Sequence, residues 1–397
     1  MRFFHLSDLH IGKQLHSYSL KQDQEHILQE VVSYVEKIRP DAIVFAGDIY
    51  DKSVPSAEAV RIFDEFLTKL SSLEPAIPIL IIAGNHDSAQ RLNYASQILK
   101  RQNIYIAGNV PETEDEYLKK LTLQDEEGKV NFYFLPFLKP GYVRGVFDEE
   151  IPESYEAAVR KILEREHIDW NERNVLISHQ FYAGSGQKME RSESETASVG
   201  GLDLIDSSCV QNFDYVALGH LHGAQRAGAE HIRYCGTLLK YSVSEANQNK
   251  TLHLISLGKK EDAVQVEELP LHPLRDVRKV RGELEEIIAD AKLENKDDYI
   301  SVTLTDEVDP YKPKEQLERV YSHILEVRMD NTRTRKKLEE FEEEAVVSDP
   351  LTVFEEFFEE MQGRAMNEEE KSLLVEVLEE AGEIGRASCR ERVSVQV

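Results

Sequence analysis

Cysteine and tryptophan are nearly absent from this 397-residue chain, with three of the first and one of the second. Cys209, Cys235 and Cys389 make no CxxC pair and no even framework. That excludes a disulfide-stapled scaffold and a thiolate metal site, and a cytoplasmic protein with reduced thiols is expected. No apolar run approaches the roughly 20 residues needed to cross a bilayer. The opening Met1-Arg2-Phe3-Phe4-His5 lacks a signal peptide's apolar stretch and cleavage site, so no membrane association is expected. Positive charge is scarce too: 47 Lys and Arg stand against 74 Asp and Glu, for a net charge of −27. No basic stripe predicts tight DNA binding unaided. The deficit is uneven, however. Residues 338–383 hold 17 acidic and 2 basic side chains. Net charge speaks to solubility and non-specific binding, not to fold.

What is present is a globular composition, 41% apolar and 30% charged, in a chain long enough for two or three domains. Phe3–Leu6, Ala42–Ala46, Ile79–Ala83, Val175–Ser178 and Tyr215–Leu218 have the length and branching of buried strands. Ile27, Val31, Val32, Val35 and Ile38 follow a helical period, as do Val60, Ile62, Phe63, Phe66, Leu67 and Leu70, with Pro40 and Pro75 beyond as stops. Strand–helix alternation predicts an α/β layered fold over 1–270. Residues 111–131 read as a polar hairpin or loop insertion turning at Glu126–Lys129, and 181–200 as a mobile Gly- and Ser-rich loop. Residues 271–337 read as a small α+β domain: strand Val277–Val280, helix Leu284–Ala291, strand Tyr299–Leu304, helix Lys314–Val327. Over 338–383 a helical hairpin is expected. Asp349-Pro350 caps a helix with the stripe Leu351, Phe354, Phe357, Phe358 and Met361; Gly363 ends it, and Asn367 with Glu370 starts a second, striped by Leu373, Leu374, Val377 and Leu378. That face packs back on its own domain or takes a partner helix. Residues 384–397 break the pattern and are read as a disordered or vector-derived tail.

Five of the apolar runs end in side chains able to bind metal: Asp8-x-His10, Gly47-Asp48-x-x-Asp51, Gly84-Asn85-His86-Asp87, His179 and Gly219-His220-x-His222. Singly, each has an ordinary explanation as a turn or a structural histidine. Five in this order exceed what such explanations account for. Imidazole, carboxylate and amide oxygen without thiolate suit Mn, Fe or Zn in a hydrolytic site. Two such ions clamp the attacking and leaving oxygens of an in-line phosphoryl displacement, which requires a bridging carboxylate. The glycines before Asp48, Asn85 and His220 permit the tight turns involved. His5, His16 and His26 fit no ligand pattern and are read as structural or solvent-facing.

On these residues the chain resembles the calcineurin-like metallophosphoesterase superfamily. Within it, it is similar over about residues 1–380 to bacterial nuclease subunits that work with a coiled-coil ATPase. The resemblance implies a four-layer α/β/β/α sandwich with a small α+β capping domain for DNA and a C-terminal helical hairpin. It also implies two divalent ions, Mn foremost, with Mg, Fe or Zn as alternatives. One would be held by Asp8, His10, Asp48 and His222, the other by Asp48, Asn85, His179 and His220. His86 would orient the phosphate or protonate the leaving oxygen. Asp87 reads as a turn or supporting carboxylate. Archaeal relatives carry a histidine where Asp51 stands, so that histidine's role does not transfer. The expected partners are DNA, an ATPase of the SbcC type bound through 349–380, and a second copy of the chain within a heterotetramer.

The expected activity is double-strand exonuclease and single-strand or hairpin endonuclease in DNA repair, recombination and replication. Two other readings stand beside it: a phosphatase or small-molecule phosphodiesterase on the same scaffold, and a non-catalytic tethering subunit. The appended domain and hairpin weigh against the first, and the complete ligand set against the second.

Overall fold

The computed structural model describes residues 1–147, 151–195, 203–291, 296–335, 350–375 and 377–378. Two six-stranded sheets form its centre. The first runs in the order β12-β11-β1-β2-β3-β4, built from β1 (Arg2–Leu6), β2 (Ala42–Ala46), β3 (Ile79–Ile82), β4 (Ile104–Ala107), β11 (Thr251–Ser256) and β12 (Gln265–Pro270). The second runs β9-β10-β8-β7-β6-β5, from β5 (Lys119–Asp125), β6 (Gly128–Leu135), β7 (Arg173–Ser178), β8 (Tyr215–Leu218), β9 (Gln225–Arg226) and β10 (Ile232–Tyr234). Strands β1 to β4 are mutually parallel, as are β6, β7, β8 and β10.

The strand sequences explain the layering. In β2, Ala42, Val44 and Ala46 face the second sheet, where they meet Phe132, Val175, Ile177 and Ala217. Ile43 and Phe45 point the other way, among Val31, Val35, Phe63 and Phe66 of helices α1 (Lys21–Ile38) and α2 (Ala57–Ser71). A strand covered on both faces reads as an unbroken apolar run, and all five residues of β2 are buried. Outside the second sheet, Ala158, Val159 and Ile162 of α3 (Tyr155–Arg165) pack over Leu176, Val216 and Leu218. The result is helix, sheet, sheet, helix. Ser56 caps α2, accepting from Ala59 N–H at 3.1 Å, and α1 closes on Arg39 at φ +51° just before Pro40. Val60, read as part of the apolar stripe of α2, faces solvent.

Two sequence readings change. The 111–131 hairpin is no insertion: β5 and β6 are its arms, and β6 is a core strand with Val130 to Leu135 buried. The helix expected over Lys314–Val327 stops early. Helix α5 (Pro313–Leu317) is short, and β15 (His323–Met329) follows. Leu317, Val320, Tyr321 and Ile324 imitate a helical period, but pairing with a neighbouring strand outweighs that weak local preference. With β13 (Val277–Gly282) and β14 (Tyr299–Leu304), β15 forms a three-stranded sheet ordered β13-β14-β15, and α4 (Leu284–Asp290) follows β13. Tyr299 and Arg275 both bond the buried Asp23 of α1, at 3.0 and 2.8 Å.

The described residues within 304–311 and 328–378 belong to a second compact unit. In it, α6 (Pro350–Gln362) ends at Gly363 with φ +66°. Asn367 and Glu370 then cap each other reciprocally, both bonds being 2.9 Å. Asp349 and residues 384–397 lie outside the described residues. Among the described residues no helix is long and apolar enough to cross a membrane.

Candidate metal centre

Each expected ligand follows the carboxyl end of a parallel strand. Asp8 and His10 follow β1, Asp48 β2, Asn85 β3, His179 β7, and His220 with His222 β8. The loops knit together: Asp8 N–H donates to Gly47 O, His10 N–H to Asp48 O and Gly219 N–H to Ser178 O, at 3.0 to 3.1 Å. The sheets meet where Nδ1–H of His179 donates to Ala46 O at 2.6 Å. A Cβ on Gly219 would fall 2.1 Å from that same carbonyl, and one on Gly84 2.2 Å from the Asp48 carboxylate. These two glycines are therefore required by close approach.

All seven residues converge. Nε2 of His10 and of His222 face each other at 3.1 Å. Oδ2 of Asp48 lies 3.7 Å from Nε2 of His10 and 3.3 Å from Nε2 of His179. Oδ1 of Asn85 stands 3.1 Å from Nε2 of His179 and 3.0 Å from Nδ1 of His220. Asp8, His10 and His222 can bring one ligand atom each within 4.8 Å of one another, and so can Asp8, Asp48 and His179. His86 forms a third such group with His10 and Asp48. Asp8, Asp48, His10, His179 and His222 are buried, whereas Asn85, His86 and His220 are half-buried and make the open face.

Four of the seven have positive φ: Asp8 +52°, His10 +41°, Asp48 +52° and His220 +104°. Such conformations cost on the order of 1–3 kcal/mol each and persist only where surrounding structure imposes them. Asp8 is imposed upon by Ser7 Oγ–H, which donates to it, and by His220 N–H at 3.0 Å.

The electrostatics show what is missing a charge. Burial opposes ionisation of Asp48, but His179, then His10 and His86, hold its carboxyl far below the usual range. Burial alone would lower His179; Asp48 overcomes this and pushes it up to about 9. Burial, reinforced by the charge of His179, takes His220 down to about 3. Two carboxylates, an amide oxygen and four imidazoles, with two imidazole nitrogens forced together, fit divalent metals.

Similarity to known proteins agrees with this chemistry. The model for calcineurin-like phosphoesterases matches residues 1–224, and that for the type 5 capsule protein repressor C-terminal domain matches 273–362. The SbcD subunit of the SbcCD nuclease of Staphylococcus epidermidis is 32% identical over 393 residues, 96% of this chain and all of that one. The protein of the same name from Staphylococcus saprophyticus is 32% identical over 329 residues, 82% of this chain and 84% of that one. The chain belongs to the SbcD family of calcineurin-like phosphoesterases.

Around this SbcD-family centre stand residues the sequence did not announce. His222 Nδ1–H donates to Ser194 Oγ at 2.6 Å, and Ser194 in turn to Glu245 at 2.6 Å. Lys250, buried, bonds Glu245 at 2.7 Å and His222 O at 2.9 Å. Burial opposes the Glu245 charge, but His222 and Lys250 hold its carboxyl well below the usual range. Glu195 accepts His222 N–H at 2.8 Å. Ser194 and Glu195 of the expected mobile loop 181–200 thus brace His222; residues 196–200 lie outside the described residues. Asp51 bonds Lys13 at 2.8 Å, and its carbonyl accepts Nδ1–H of His86 at 2.8 Å. Asp87 holds no imidazole. It accepts the N–H groups of Ile49, Tyr50 and Gly84 at 3.0 to 3.1 Å, tying the second motif to the third. Of the other histidines, His5 is structural, buried between Tyr215 OH and Leu218 O.

Proposed function

We propose that this chain is a metal-dependent DNA nuclease acting with an SbcC-type ATPase, with two divalent ions, manganese foremost, at the centre described above. Asp8, His10, Asp48 and His222 would hold one ion, and Asp48, Asn85, His179 and His220 the other. The observation that carries this is the position of Asp48, one carboxylate oxygen of which lies within 4 Å of both His10 and His179. When bound, such a pair supplies charge stabilisation at phosphorus and acidifies the attacking water.

The chain's own groups do the rest. Asp8 and Asp48, stripped of water, give the site its negative charge. The Ser194–Glu245–Lys250 relay and the Ala46 carbonyl fix the tautomers of His222 and His179, leaving Nε2 of each free as a ligand. His86 gives Nδ1–H to Asp51 O, so Nε2 is the nitrogen left to orient the phosphate or protonate the leaving oxygen.

Residues 271–337 are read as a DNA-capping domain, and the helices within 338–383 as the ATPase dock. Supporting the dock, Phe354, Phe357 and Met361 of α6 are 49, 56 and 66% exposed, an apolar face that asks for a covering helix. The partner would supply the positive surface this acidic chain lacks, in a heterotetramer around a dimer of this chain, in the cytoplasm at the nucleoid. The test is the purified chain with Mn²⁺, assayed on linear duplex DNA and on bis(4-nitrophenyl) phosphate. DNA degradation is expected. Intact DNA beside brisk turnover of the small ester would overturn the nuclease reading in favour of a small-substrate phosphodiesterase.

A further inference from the structure

Two clefts flank the loop Asp51–Ser53, and their linings differ in kind. One, of about 460 Å³, is lined by Lys13, Lys21 and Lys52 together with Asp51 and Glu58, which pair with Lys13 and Lys21 at 2.8 and 2.6 Å. The other, also about 460 Å³, reaches from Asn85 to Tyr142 and includes Gln90, Asn109 and Phe137. Its lining contains no Lys, Arg or His. Its two carboxylates are already engaged: Asp87 by three backbone N–H groups, and Glu112 by Asn109 Nδ2–H at 2.6 Å. A phosphate would find no counter-charge there. A flat, neutral, hydrogen-bonding group would fit. Phe137 is tied by its N–H to Ala83 O at 2.9 Å, and its ring lies 6.5 Å from that of the ligand His179. Tyr142 is 53% exposed, leaving much of its side chain open to contact.

We propose that the cleft between Asn85 and Tyr142 receives the unpaired nucleobase next to the scissile phosphate, with Tyr142 stacking on it. This rests on the nuclease reading above and extends it to how the substrate is held: backbone along the lysine-lined cleft, one extruded base in the cation-free one. Aromatic stacking on a base is sequence-tolerant, because every base has a π-face.

The test uses the full chain with Mn²⁺ and single-stranded oligonucleotides, either intact or abasic at the nucleotide adjoining the cut. Tyr142→Ala should raise KM for the intact strand about 5- to 100-fold. Tyr142→Trp should restore it, and the Mn²⁺ content of the purified variant should not change. The abasic strand should weaken the wild type by a similar factor while adding little to Tyr142→Ala, because both remove one contact. Equal abasic penalties in wild type and variant, or an unchanged KM in Tyr142→Ala, would overturn the base pocket and leave the nuclease intact. Failure of the wild type to cut any DNA while hydrolysing the small ester would instead overturn the nuclease reading, and this inference with it.

Discussion

The carboxylate of Asp48 lies 3.3 Å from Nε2 of His179, and both side chains are sealed from water. The two come from different sheets, so their contact joins the halves of the sandwich at the point where chemistry is placed. Removing Asp48 should therefore do more than removing any one histidine. Asp48→Asn is expected to leave both ion positions weak, and His10→Ala or His179→Ala mainly one. Metal content of the purified variants, measured by atomic spectroscopy after Mn²⁺ loading, checks this. Equal occupancy in Asp48→Asn and wild type would refute the shared role.

His86 meets His10 and Asp48 from the open side and is anchored through Asp51 O. His86→Ala should lower turnover roughly 10²- to 10⁴-fold, the range for a lost proton-transfer group. Bound Mn²⁺ should be unchanged by the same spectroscopy. A variant that loses metal in parallel with activity would show that His86 is a ligand instead.

Glu245 and Lys250 are buried and brace His222. Glu245→Gln should weaken metal affinity roughly 10- to 100-fold, as is usual when the group orienting a ligand histidine is lost. Titration calorimetry with Mn²⁺ reads the change. Lys250→Met leaves Glu245 buried without its cation, and is expected to cost more in stability than Glu245→Gln.

On the acid side, stability should depend on Asp125. Arg173, almost fully buried, donates to its carboxylate through both terminal nitrogens, one of them at 3.1 Å, and holds its carboxyl well below the usual range. The stabilisation is complete above the unfolded-state value of about 3.9, and is lost as pH falls toward the lower folded-state value. Asp125→Asn should cost about 1–3 kcal/mol at neutral pH and flatten the decline between about pH 4 and pH 2. Urea unfolding at pH 7 and pH 3 measures both. An equal loss at the two pH values would separate the effect from ionisation.

The apolar face of α6 gives a final expectation. Phe357→Glu with Met361→Glu should abolish co-purification with the ATPase while leaving hydrolysis of the small ester at the wild-type rate. Retained association would place the dock elsewhere.

Much of the centre is legible in the chain itself. Strands such as Ala42–Ala46 are covered on both faces and appear as unbroken apolar runs. In parallel sheets, the residues just past such runs are carried to one edge, so five short motifs could be grouped by position alone. The helical reading of Lys314–Val327 failed because four apolar residues at helical spacing also satisfy a strand that is paired on one side. The 111–131 segment looked peripheral because β5, its outer arm, is polar, while β6 is buried by the opposing sheet. Ser194 and Glu245 gave no local signal: each is an ordinary polar residue, separated by 51 positions.

By itself, then, the sequence determined the inventory of candidate ligands, the strand–helix alternation that carries it, and the acidic, apolar-striped C-terminal segment, because these follow from composition and period along the chain. Tertiary structure decided that Asp48 would lie between His10 and His179, that Asp8, His10, Asp48 and His220 would be held at positive φ, and that a cation-free aromatic cleft would lie across one loop from a lysine-lined one. Those depend on which strand ends meet across two packed sheets, a distance in space that no spacing in sequence encodes.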